Sequence, residues 1–133
     1  MERWLSRVIE TSSFLDLLSG VFMNDNLLIA RSVRKTITYV EKNIYNFPNE
    51  YKVLKKRIIN ACYDILENVY RANINQEKHY KYEVLVQIKM LNYFLKQALD
   101  KELITKKKFL SYGKHLLEIH NMVSSWCGYE ASK

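Results

Sequence analysis

The sequence predicts an all-α protein: an antiparallel up-down-up-down four-helix bundle with an extra amphipathic segment in front. Three observations carry that expectation. The 133 residues include only three glycines and one proline, too few for the turn every ~10 residues of an all-β chain and for a glycine-rich phosphate loop. Apolar residues recur at intervals of three and four through several long runs, the period of a helix with one buried face. The connections between those runs are short, so successive helices should lie antiparallel. With 48% apolar and 26% charged residues, the composition is that of one folded domain.

Residues 1–24 form an N-terminal extension in which Trp4, Leu5, Val8, Ile9, Leu15 and Leu18 stand at near-helical spacing. Gly20 suits the left-handed position that closes a helix. The bundle proper spans residues 25–127, and residues 128–133 are a tail. Its first helix is expected from about Asp25 to Asn46, with Ile29, Val33, Ile37, Val40 and Ile44 on one stripe and Phe47 next in the series. Pro48 ends it, because proline disfavours helix at the residue before it, and should then occupy the first turn of the next helix. That helix carries Tyr51, Leu54, Ile58, Cys62, Ile65 and Val69 as far as about Asn73, where Asn73, Asn75 and Gln76 make a polar connection.

The following helix, about 78–101, aligns Val84, Ile88, Leu91, Leu95 and Ala98. Thr105 is the natural N-cap of the last helix. Phe109, Tyr112, Leu116, Ile119, Val123 and Trp126 then follow at alternating threes and fours, the spacing of a bundle seam. Helices of ~22 residues would each be ~33 Å long and match side by side.

Catalytic and metal signatures are missing from the sequence. His115 and His120 are five apart on one helix and point ~140° away from each other, so they do not form a metal pair. No H-E-x-x-H, Glu-x-x-His pair or serine elbow occurs. Seven residues separate Arg71 from His79, beyond the R-x(4–6)-H spacing of helical ribonucleases. Cys62 lies on an apolar stripe and reads as a small core residue, with Cys127 similar or partly exposed. Of the ten tyrosines, Tyr39, Tyr51, Tyr70, Tyr93 and Tyr112 sit at stripe edges, where a ring can bury while its hydroxyl stays wet. No catalytic residue, metal site or cofactor is expected. Two cysteines without a framework, no signal-peptide pattern and no apolar run of ~20 residues give the expectation of a soluble cytoplasmic protein with no membrane partner.

The formal net charge is +7, and in an up-down bundle it gathers at one end. Residues 37–59 and 91–115 hold eleven basic side chains against Glu41, Glu50, Asp100 and Glu102. The opposite end is near neutral, with Lys78, Lys81 and Lys89 as its surface comparators. Lys106, Lys107 and Lys108 fall in the first turn of the last helix, and Lys52, Lys55 and Lys56 in the first turns of another. Cations there oppose the helix dipole, whereas a bound polyanion would meet both the lysines and the free amides. Lys52, Lys55, Lys56, Arg57, Lys101, Lys106, Lys107 and Lys108 are therefore the candidate nucleic-acid-binding residues. Leu66, Phe94 and Leu117, apolar but off the main stripes, point to self-association.

Phe47-Pro48-Asn49-Glu50-Tyr51, Arg57-Ile58 and the helix ending at Ala72-Asn73 resemble one known family. So do Leu91-Asn92-Tyr93-Phe94-Leu95, Leu103-Ile104-Thr105, Tyr112, Leu116-Leu117-Glu118-Ile119 and Trp126. The family is that of the accessory variability determinant (Avd) proteins of diversity-generating retroelements, four-helix bundles similar in turn to proteins encoded by intervening sequences in 23S ribosomal RNA genes. The resemblance covers about residues 27–127. It departs at Ser124-Ser125, where glycines are expected, and residues 1–24 have no counterpart. It implies a homopentamer that binds the retroelement's reverse transcriptase and template RNA or DNA and supports mutagenic cDNA synthesis without being an enzyme. The alternative is an intervening-sequence-type bundle oligomer of unassigned role that binds no nucleic acid.

Overall fold

The computed structural model describes residues 28–75 and 77–131, with side chains as far as Cys127. The described residues fold into four helices and no strand: α1 (Leu28–Ile44), α2 (Lys52–Asn75), α3 (Lys78–Asp100) and α4 (Lys106–Ala131). A 3₁₀ turn, Asn49–Tyr51, leads into α2. The expected N-terminal amphipathic segment, Gly20 and the start of α1 at Asp25 lie outside the described residues.

Each helix buries the stripe that its spacing defines. Ile29, Val33, Ile37, Val40 and Ile44 of α1 meet Leu54, Ile58, Cys62, Ile65 and Val69 of α2 in one core. Val84, Ile88, Leu91, Leu95 and Ala98 of α3 join Tyr112, Leu116, Ile119 and Val123 of α4 in the same cluster. Burying one such side chain contributes about 1.5–3 kcal/mol, which outweighs the modest helix propensity of the β-branched residues that fill α1 and α2.

The helices pack as a ring. α1 touches α2 and α4, α3 touches the same two, and the diagonal pairs do not meet. The contacts of α1 with each of its two neighbours run in opposite senses. Along α1, Ser32 Oγ reaches Met122 Sδ (3.7 Å) and Tyr39 OH reaches Ser111 Oγ (3.0 Å) of α4. Toward α2, Arg34 Nη1 donates to Tyr70 OH (2.7 Å), and Tyr63 OH donates to Glu41 Oε1 (2.6 Å).

Four expectations are corrected. α1 ends at Ile44, two residues early. Pro48, at φ −55° and ψ 148°, stands outside the helical region and caps the 3₁₀ turn rather than starting α2; Tyr51 N–H closes that turn on its carbonyl at 2.9 Å. Tyr112 is fully buried while Tyr93 is well exposed, because Tyr112 lies at the centre of the α4 stripe and Tyr93 on the outer side of α3. Lys81 is not a surface residue but is fully buried. It sits three residues before Val84 on the α3 stripe, and its ammonium lies 4.2 Å from the centre of the Trp126 ring, a cation–π contact.

Candidate nucleic-acid interface

The start of α4 is built by a tight end to α3. Lys101 N–H returns to Gln97 O (3.0 Å), Glu102 N–H to Leu99 O (2.9 Å) and Leu103 N–H to Ala98 O (2.9 Å). These are the paired backbone bonds of a Schellman stop. Its left-handed residue is Glu102, at φ 59°, where glycine is the unstrained choice. Ile104 then buries, and Thr105 accepts from Lys108 N–H through its Oγ1 at 3.1 Å, the N-cap expected from the sequence. Lys101, Lys106, Lys107 and Lys108 are all exposed around this turn.

The start of α2 presents Lys52, Lys56 and Arg57 to solvent. Lys55 is different: its Nζ donates to the Tyr45 carbonyl at 2.6 Å. It satisfies one of the carbonyls left open past the end of α1 and so ties the α1–α2 connection as well as adding charge. Arg57 points toward α3, where it lines a groove with Gln87, Met90 and Phe94. The Tyr39–Ser111 contact places the second half of α1 beside the first turns of α4, so the α1–α2 connection and the α3–α4 turn approach one another.

Among the described residues none of the four α-helices carries an acidic residue in its first turn, although Glu50 stands in the 3₁₀ turn that leads into α2. The first turns of α2 and α4 therefore carry lysines and no carboxylate, against the sign that the helix dipole favours. Lys96 is paired with Asp100 at 2.7 Å, so it adds little field.

The chemically reactive side chains are otherwise engaged. Burial, and to a lesser degree the charge of Glu41, pushes the Cys62 thiol up to about 12, which leaves it protonated and inert at neutral pH. Arg71 pairs with Glu67 at 2.5 Å and lies over the Tyr80 ring, while His79 faces Glu77 at 3.2 Å. His115 packs against the Tyr39 ring. Among the described residues no three His, Cys, Asp or Glu side chains are placed to hold a metal ion. Nor is any helix long and apolar enough to cross a membrane.

Sequence reasoning missed the α2–α3 groove. Its signal was present: Arg57, Asn60 and Asp64 on α2 and Gln87, Met90 and Phe94 on α3 repeat at threes and fours beside the core stripes. A flank becomes a groove only when the partner helix is known.

Fold and charge together define the class: a four-helix protein distinguished by cationic helix ends. The chain belongs to the bAvd-like family, whose family model matches residues 27–130. Comparison with curated proteins and with solved structures finds no match.

Proposed function

We propose that this protein is a non-catalytic accessory subunit of a diversity-generating retroelement. It binds the element's reverse transcriptase and template RNA or DNA and supports mutagenic cDNA synthesis in the cytoplasm. Family membership supports the general role. The observation that carries nucleic-acid binding is the set of exposed lysines at the starts of α2 and α4, where a phosphate could meet ammonium groups and helix-end amides together. The opposed contacts of α1 with its two neighbours support the up-down-up-down topology, which gathers those lysines at one end. Lys52, Lys55, Lys56, Arg57, Lys101, Lys106, Lys107 and Lys108 would then track a phosphate backbone with little base preference.

Exposed Tyr82, Val86, Tyr93, Leu110 and Leu117 leave more apolar surface than a lone bundle needs. They support a homo-oligomer, a pentamer by family resemblance, and a protein-binding face. Light scattering at micromolar concentration should return a multiple of the 15.9 kDa chain. The reading is tested by capture with a retroelement reverse transcriptase, with and without template RNA. Retention of both, lost in high salt for the RNA, is the expected result. Failure to bind either would overturn it.

A further inference from the structure

The groove between α2 and α3 does not belong to the lysine clusters, and its chemistry is of another kind. It is an open surface groove of about 260 Å³, smaller than the ~300–1,000 Å³ of sites for drug-sized ligands. Ala61 floors it, Phe94 and Met90 form an apolar wall, and Asn60, Asp64 and Gln87 supply hydrogen-bonding groups. Gln87 is oriented by donating to Glu83 at 3.2 Å, and Tyr93, outside the groove, packs edge-on against Phe94 at 6.0 Å. Charge is graded along the groove. Arg57 lies at the end nearest the start of α2, and Lys101, the residue just past the end of α3, follows Phe94 by seven residues beyond that same end. Asp64 lies toward the opposite end.

We propose that this groove takes one unpaired base of a single-stranded nucleic acid, stacked on Phe94 and Met90, with its flanking phosphates on Arg57 and Lys101. The proposal rests on the nucleic-acid reading above and names the part of the strand that the bundle grips. The amides of Asn60 and Gln87 each offer a donor and an acceptor, and Asp64 accepts from an exocyclic amine. Single-strand binders combine such a stacking platform with a cationic track. A groove that bound only phosphates would have no use for an apolar wall beside three uncharged or acidic polar groups.

The test compares a short oligocytidylate, whose base carries an exocyclic amine, with an abasic oligomer of the same length, using the full chain at fixed salt and neutral pH. The wild type should bind the base-bearing strand at least about fivefold more tightly, the low end of what one stacked base contributes. Asn60→Ala with Gln87→Ala should erase most of that difference and leave binding of the abasic strand unchanged. Phe94→Leu keeps apolar volume in the wall and should erase it too, with the melting temperature reporting that the fold is intact. Equal binding of both strands by the wild type would overturn the base slot while leaving phosphate binding in place. Binding of neither strand would overturn both readings. If the groove variants keep full discrimination between strands but lose the reverse transcriptase, the groove is a protein-docking site and the base slot is wrong.

Discussion

Replacing Lys106, Lys107 and Lys108 with glutamine isolates the electrostatic term at the cap of α4. The three side chains are exposed and successive positions on a helix are ~100° apart, so a strand crossing the helix end meets two or three of them. Each single-strand phosphate contact changes the slope of log K against log salt by ~0.7. Losing two or three should flatten the slope by ~1.4–2.1, which between 1 M and 0.1 M monovalent salt is ~25- to 125-fold in affinity. Fluorescence anisotropy of a labelled single strand across a salt series reads both quantities. The fold should hold or gain a few tenths of a kcal/mol, since cations leave a positive dipole end and the Thr105 cap is untouched. The comparison set must avoid Lys81, whose burial against Trp126 would confound binding with unfolding. Lys35, Lys78 and Lys89, all exposed, serve instead. Equal losses in both triple variants would show that bulk charge, not the helix end, governs binding. No loss in either would refute nucleic acid as the partner.

Glu102→Gly should raise stability by about 0.5–1 kcal/mol in chemical denaturation, because it removes left-handed strain at a smaller entropic cost to the unfolded chain; Glu102→Ala, still strained, should not. Tyr112→Phe should stabilise by about 1 kcal/mol, since the Tyr112 hydroxyl is buried with no hydrogen-bond partner among the described residues and such a group carries a desolvation penalty. A loss above about 1 kcal/mol on that change would mean the hydroxyl has a partner. Cys62 should resist a thiol reagent at pH 8 in the folded protein while Cys127, only partly buried, reacts. Because the folded Cys62 thiol is pushed from 9.0 to about 12, the unfolded chain releases its proton first. Stability should therefore be intact below pH ~9 and decline as pH rises toward 12; a flat profile over that window would refute the assignment.

The helices and the faces they bury were legible in the residue order. Their apolar stripes, the break at Phe47-Pro48 and the Thr105 cap are local features, set by spacing and by backbone chemistry within a few residues. The family was legible too, because Phe47–Tyr51, Leu103–Thr105 and the final seam lie inside the span 27–130 that the family model matches. Lysines at helix starts could likewise be counted once those starts were placed.

What each flank meets was not legible. Lys81 shares the α3 stripe with Val84 and Ile88, yet a lysine there can equally reach water; in the fold its ammonium lies against Trp126 arriving from α4. Tyr93 and Tyr112 look alike in sequence and take opposite environments because one lies outward while the other is buried in the core against the Tyr39 ring of α1. Lys55 counts as one more cation until the Tyr45 carbonyl appears beside it. Glu102 gives no warning of its left-handed backbone, which the closing bonds of α3 impose. The groove of Arg57, Asn60, Gln87 and Phe94 exists only between two helices. Periodicity is a property of one helix and determines which side is buried; exposure and shape at the borders of that side depend on a second helix, which only tertiary packing supplies.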